Sequence, residues 1–73
     1  MATSMLDKET MGKNLRDLRL AKGKTIAQMS EDTGLGETAL RNYEGGLRIP
    51  RYTAMFTIAA YFETTVDAIF FSE

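Results

Sequence analysis

The chain of 73 residues, 44% hydrophobic and 26% charged, is long enough for one small globular domain. It contains no Cys and no His, which excludes disulfides and the usual zinc sites and removes the commonest catalytic groups. No apolar run approaches the roughly 20 residues that span a bilayer. We therefore expect a cytoplasmic protein with no cofactor, no metal and no membrane partner, and we expect no enzyme.

The net charge of −1 counts against nucleic-acid binding, because domains that bind nucleic acids are usually basic. Local distribution matters more than the total, however, since a ligand meets only one face of the molecule. Eight of the nine cations fall into two groups along the chain, Lys13, Arg16, Arg19, Lys22 and Lys24, then Arg41, Arg48 and Arg51. This pattern is compatible with one positive face, and also with ordinary solvated helix charges.

A first helix is predicted to begin after Asp7 or Thr10 and to end near Lys22. Within it, Gly12 reads as a mild defect, because glycine lowers helix stability. The apolar spacing assigns one buried face, made of Met11, Leu15, Leu18 and Leu20.

The stretch Thr25–Glu44 has the pattern of two short helices joined by a tight turn. Thr25 can cap the first of these helices, and Gln28 can reach back to complete a capping box. Gly34 stands where this helix must stop, because the residue after a helix usually adopts a positive φ. Gly36 can cap the second helix.

The second short helix, Glu37–Glu44, is predicted to have two faces. Leu40 and Tyr43 point one way, and the polar side chains toward solvent are Glu37, Thr38, Arg41 and Asn42. A short, rigidly held helix with polar side chains of this kind fits the major groove of B-DNA.

The remaining chain predicts two more helices after a loop, Leu47–Arg51. Helix 4 covers about Tyr52–Phe62, with a core stripe that starts at Tyr52, and a last helix starts near Thr65. No alternating strand pattern is present, so the predicted class is all-α, with five helices. Residues 1–6 are expected to be a flexible segment, and 7–73 a single domain.

The aromatic C-terminal end either closes the core or forms an exposed patch for a partner. A stripe of this kind is more often core, so Phe62 and Ile69 are assigned to the core. The aromatic side chains left over from this core stripe favour a homodimer, with a predicted interface made of Tyr61, Phe70 and Phe71.

The run Thr25–Pro50 resembles the helix-turn-helix of the lambda-repressor-like (Cro/repressor, XRE-type) DNA-binding domains. The similarity extends from Arg19 to Ile69, and as a set its spacing is specific. It rests first on a capped helix, the hydrophobic–small pair Met29-Ser30, the turn glycine Gly34 and the hydrophobic corner Leu35. These are followed by the buried aliphatic Leu40, the aromatic–Glu pair Tyr43-Glu44, Gly46, and a basic segment with Arg48 that ends in Pro50.

This resemblance implies roles for individual residues. It pairs Arg19 with Glu44, so that the first helix holds Glu37–Glu44, the helix implied to read DNA bases. The alternative is that Arg19 is a surface cation. The implied base-reading residues are Glu37, Thr38 and Asn42, with Arg41 beside them, and the implied phosphate contacts are Lys24, Arg48 and Arg51. Glu37 has an equally good alternative role, stabilisation of the helix dipole.

Three residues depart from the pattern of the resembling family. Ile26 stands where that family often has Gln, Gly36 replaces a usual Ser or Thr, and Gly45 replaces a frequent Asn or Arg. Each change removes a polar contact, so we expect weaker DNA binding that depends more strongly on Arg and Lys.

The resulting hypothesis is a transcriptional regulator, a repressor in its most specific form, that binds a double-stranded DNA operator as a homodimer. The first alternative is a protein-interaction module of the same fold, such as an antitoxin or an anti-repressor partner, with little DNA binding of its own. The second is an inert structural domain.

Overall fold

Residues 4–72 are described by the computed structural model, and within them five α-helices surround one core. The predicted all-α, five-helix architecture is confirmed. In this part of the chain no helix is both long and apolar enough to cross a membrane. The elements are β1 (Ser4–Met5), α1 (Lys8–Ala21), α2 (Ile26–Thr33), α3 (Glu37–Glu44), α4 (Tyr52–Tyr61), α5 (Val66–Phe70) and β2 (Phe71–Ser72).

Side-chain caps determine where several helices begin. Asp7, Thr25 and Thr65 each accept a hydrogen bond from the amide three residues further on. The hydrogen bonds that Asp7 accepts lower the pKa of its carboxyl group. Gln28 completes the predicted capping box at the start of α2. By contrast α3, which follows Gly36, has no side-chain cap among the described residues.

The turn between α2 and α3 is held by hydrogen bonds on both sides of Gly34. This glycine has φ +78°, and its amide donates to the carbonyl of Ser30 at 2.8 Å. The Ser30 hydroxyl donates to the carbonyl of Leu35 at 2.6 Å, and the Leu35 amide donates to Thr33 Oγ1 at 3.2 Å. These bonds fix the direction in which α3 leaves the turn.

All five helices contribute to the core. Its buried side chains are Met11, Leu15, Met29, Leu40, Tyr43, Ala54, Met55, Ile58, Ala59, Ile69 and Phe70. Phe62 packs against this core and is partly buried.

Phe70 belongs to this core and not to an exposed patch, which corrects its assignment to a dimer interface. Its relative exposure is 0%, whereas Phe71 is half-buried. The reason is the shortness of α5: one turn after the Thr65 cap, both Ile69 and Phe70 point into the bundle. Burying an aromatic ring of this size contributes about 2–3 kcal/mol to folding. The domain would lose this contribution if the ring left the core to contact a partner.

Two side chains assigned to the core are exposed instead. Tyr52 is 65% exposed and Leu20 is 56% exposed. In α4 the inward stripe is formed by Ala54, Met55, Ile58 and Ala59, so Tyr52 and Phe56 lie together on the neighbouring outer face. Their rings pack edge to face with centroids 4.7 Å apart.

Gly12 permits the close crossing of α1 and α3, which corrects its reading as a mild defect. The residue is buried, and a Cβ atom added to it would lie 2.7 Å from the carbonyl oxygen of Tyr43 and against that of Glu44. Only a residue without Cβ fits there.

The ends of the described chain form a small antiparallel sheet that the sequence pattern did not predict. Ser4 lies opposite Ser72, Met5 lies opposite Phe71, and the Leu6 amide donates to the carbonyl of Phe70 at 2.8 Å. Residues 4–6 of the segment expected to be flexible are thus hydrogen-bonded to the C-terminal end. Residues 1–3 of that segment lie outside the described residues.

Candidate nucleic-acid interface

The surface of α3 has the two faces expected from its sequence. Leu40 and Tyr43 are 2% and 9% exposed and anchor the helix to the core. The four polar residues proposed to read bases occupy the opposite face, where all are exposed apart from half-buried Asn42; they are Glu37, Thr38, Arg41 and Asn42. The helix therefore presents hydrogen-bonding groups of several kinds on a rigid support.

Two of these residues bind each other. Arg41 Nη2 lies 3.2 Å from Glu37 Oε1, and their side chains are 61% and 45% exposed. An exposed pair one helical turn apart contributes only about 0.3–0.5 kcal/mol, so either side chain can turn to a ligand at small cost.

The ion pair implied between Arg19 and Glu44 is present beneath this face. Arg19 Nε donates to Glu44 Oε2 at 2.7 Å, and Nη2 donates to Oε1 at 3.0 Å. The side chains are only 12% and 11% exposed. The hydrogen bond with Glu44 raises the pKa of Arg19, which stays charged.

A third hydrogen bond, from Arg19 Nη1 to the carbonyl of Lys24 at 2.8 Å, extends this contact to the segment before α2. One guanidinium group thus joins α1, the segment before α2 and the end of α3. The position of α3 relative to the other two helices is fixed on this side by Arg19.

The ammonium group of Lys24, an expected phosphate contact, is paired inside the molecule. Its Nζ lies 3.4 Å from Asp32 Oδ2, which also accepts a hydrogen bond from the Tyr61 hydroxyl at 2.7 Å. Lys22 Nζ lies 5.0 Å from the centre of the Tyr61 ring. This network links α2 to the C-terminal ends of α1 and α4.

The network shifts the titration of two of its members. The hydrogen bond from Tyr61, followed by the positive charge of Lys24, lowers the pKa of Asp32. Burial, followed by the hydrogen bond to Asp32, raises the pKa of Tyr61 to about 12. In the part of the chain that is described, no group of three or more acidic side chains is placed to hold a metal ion.

Arg48 and Arg51 lie together beside the C-terminal half of α3. Both are exposed and line a shallow depression between α3, the following loop and α4, with Leu35, Tyr43, Ile49 and Thr57. The buried Pro50 anchors this loop between the two arginines. The structure therefore brings this predicted phosphate pair to the edge of α3.

A second depression contains a cation to which the sequence assigned no role. Arg16 lines it together with Arg41 and Ile26, above the Arg19–Glu44 pair. The available signal was the spacing of Arg16 and Arg19, which puts both on neighbouring positions of one helix face. Ile26 is half-buried and packs against the core, which explains an apolar residue at the start of α2.

Comparison with known families and structures agrees with this geometry. Residues 10–69 match a sequence family described as a helix-turn-helix domain. No curated protein sequence matches the chain significantly.

Solved structures with the same fold include three regulators. The restriction-modification controller protein C.AhdI from Aeromonas hydrophila is 25% identical, with a TM-score of 0.81 over 88% of this chain and 97% of that one. The SOS-response transcriptional repressor LexA from Eubacterium rectale is 21% identical, with a TM-score of 0.81 over 86% and 67%. SinR, a master regulator for biofilm formation solved in complex with DNA, is 20% identical, with a TM-score of 0.76 over 81% and 95%.

Proposed function

We propose that this chain, which belongs to the helix-turn-helix domain family, is a transcriptional regulator that binds specific sequences in double-stranded DNA. The observation that carries the proposal is the polar face of α3, held outward by buried Leu40 and Tyr43 and by the Arg19–Glu44 pair. Family membership supports a binding function and not an enzymatic one.

In this proposal α3 enters the major groove and its side chains contact base edges. Asn42 can donate to and accept from adenine, Thr38 can contact a thymine methyl, and Glu37 can accept from a cytosine amino group. Arg41 suits guanine or a phosphate. Arg48 and Arg51 bind backbone phosphates at the edge of the helix, joined by Lys24 when its ammonium leaves Asp32.

A repressor is the more specific form of the proposal. A domain this small can act simply by occupying an operator and blocking polymerase. The similar structures support a regulatory role, since they include a controller protein, a repressor and a regulator bound to DNA.

We also propose that the protein binds its operator as a homodimer, with Tyr61 and Phe71 in the interface. Both side chains are half-buried in the single chain and so retain surface for a partner. Two copies related by a two-fold axis would read half-sites about 34 Å apart, one turn of DNA.

The test of DNA binding is selection from random duplex DNA followed by titration of a selected duplex at several salt concentrations. Because each neutralised phosphate releases counterions, log affinity should fall linearly with log salt, with a slope of about −0.9 per phosphate contacted. Asn42→Ala should lose the preference for the selected duplex over a scrambled one. Selection that enriches no sequence would contradict the proposal.

The test of the dimer is sedimentation of Phe71→Asp beside Phe56→Asp as the matched control. A charge at the interface should shift the C-terminal variant toward monomer, because an unpaired carboxylate is costly to bury. The control changes an exposed ring on α4 and should leave the mass unchanged. If Phe56→Asp alone shifted toward monomer, the interface would lie on α4 and not at the C-terminal end.

One observation favours the alternative of a protein-interaction module. Four of the six exposed large apolar side chains in the described part of the chain lie in one segment, at Leu47, Ile49, Tyr52 and Phe56. A partner protein could cover them while α3 stays idle. This alternative predicts no measurable binding to duplex DNA even at low salt.

A further inference from the structure

We propose that Arg16 of α1 and Arg41 of α3 together bind a single phosphate group of the DNA backbone, an inference that rests on the proposed DNA-binding function. The two side chains come from separate helices and line one shallow depression where α1, α2 and α3 meet. Arg16 thereby gains a role, and Arg41 becomes a phosphate contact in place of a base contact.

The base of this depression is electrically neutral. Arg19 and Glu44, which lie there, make two hydrogen bonds to each other and are nearly buried. The negative charge of Glu44 is therefore balanced by Arg19 and does not cancel the charge of the outer arginines. Ile26 adds an apolar wall that donates no hydrogen bond.

The positive charge at the rim comes from Arg16 and Arg41. Glu37 offsets part of it through its 3.2 Å contact with Arg41 Nη2. Arg16 is exposed and makes no ion pair or side-chain hydrogen bond with residues 4–71, whose side chains the structure describes. It can turn toward an anion without breaking a contact within the protein.

The chemistry of the two groups fits a phosphate diester. A guanidinium group is planar, always charged, and presents several N–H donors that match two phosphate oxygens. Arg41 uses one terminal nitrogen on Glu37, which leaves its other donors for an oxygen. Two guanidinium groups at one depression can therefore each take an oxygen of the same phosphate.

The position of Arg41 on α3 also favours the backbone over the bases. It shares its depression with a residue of α1, so it lies on the α1-facing edge of the reading helix. Asn42 follows Arg41 directly and is therefore offset from it by about 100° around the helix, so it lies further from that edge, whereas Thr38, three residues before Arg41, is its neighbour on the helix surface.

The experiment measures the affinity of Arg16→Gln, Arg41→Gln and the double variant for a selected duplex and a scrambled duplex, each labelled with fluorescein, at several KCl concentrations. Lys8→Gln is the matched control. It removes one exposed cation of α1 at a position about 12 Å along the helix axis from Arg16. Melting curves establish that each variant is folded, which the exposure of both arginines leads us to expect.

Each single variant should bind both duplexes about tenfold more weakly, as expected for the loss of a charged hydrogen bond. In the double variant the salt slope should become shallower by about 0.9, the share of one phosphate. The double variant should lose clearly less than the product of the single effects, because both residues serve the same phosphate. Lys8→Gln should leave the affinity nearly unchanged.

Three results would overturn this assignment. An unchanged affinity in Arg16→Gln removes its role, and a loss in Arg41→Gln confined to the selected duplex makes Arg41 a base contact. Fully multiplicative effects would mean two separate phosphates. Wild-type protein that binds neither duplex would refute the proposed function itself, which is a different failure from these three.

Discussion

At the scale of single residues, Gly12 allows α1 and α3 to cross closely. The distance between α1 and α3 depends on it, since a Cβ atom would lie 2.7 Å from the carbonyl oxygen of Tyr43. The atoms it would meet belong to the backbone, which cannot move aside as a flexible side chain can. The residue therefore controls how close α3 lies to the helix that carries Arg16 and Arg19.

Gly12→Ala should destabilise the domain by about 1–3 kcal/mol, because overpacking outweighs the better helix propensity of alanine. A domain of this length has a total stability of about 4–11 kcal/mol, so the loss is large. Thermal unfolding followed by circular dichroism measures it. Lys13→Ala, at the exposed neighbouring position, is the control and should change stability by less than about 0.5 kcal/mol. Equal melting temperatures would show that α1 can shift away from α3.

At the scale of elements, α3 is held at both ends. At its start the Gly34 turn is fixed by hydrogen bonds of Ser30 and Thr33. At its end Glu44 is bound by Arg19 from α1. Such a pair adds little net stability, because desolvation offsets the attraction, yet it selects one arrangement of the helices.

Arg19→Ala or Glu44→Ala should each cost about 3 kcal/mol, because the remaining partner is left as a nearly buried, unpaired charge. Chemical denaturation provides the free energies of unfolding. Arg48→Ala removes an exposed cation and should stay within about 0.5 kcal/mol. The double variant Arg19→Met with Glu44→Leu should recover much of the loss. Small effects in both single variants would show that solvent reaches the pair.

Elements with local signals were predictable from the sequence, and those defined by distant contacts were not. The Thr25–Gln28 capping box and the Gly34 turn depend on neighbouring residues, and both are present. The pairing of β1 with β2 involves two residues on each side, too few to show an alternating pattern.

The same distinction applies within the candidate site. The faces of α3 follow from helical spacing, and the Arg19–Glu44 pair followed from the resemblance to a known family. The ion pair of Lys24 with Asp32 and the depression that Arg16 and Arg41 share each bring together residues from different parts of the fold. No local pattern in the sequence reports such distances.

At the scale of the whole molecule, a net charge of −1 coexists with local cation groups. Acidic residues reduce the charge at particular places, as Asp32 does for Lys24 and Glu37 does for Arg41. The network of Lys22, Tyr61, Asp32 and Lys24 also links α2 to the ends of α1 and α4. Its integrity requires a neutral tyrosine hydroxyl.

This requirement predicts a loss of stability in strong base. The pKa of Tyr61 rises from 10.0 to about 12 on folding. Its contribution is therefore fully present below pH 10 and is lost between pH 10 and about 12, since the unfolded chain releases the proton first. Urea unfolding across this pH range measures the decline in the free energy of unfolding. Tyr61→Phe, which has no hydroxyl to titrate, should reduce the slope of that free energy against pH. An identical slope in that variant would assign the decline to other groups.

The antiparallel pairing of Ser4 with Ser72 leaves the two ends of the described backbone side by side. A short glycine-rich bridge could join them with little distortion, and the chain could be reopened at the exposed turn around Glu63, where φ is +55°. Such a circular permutant would keep every helix intact while reordering the chain.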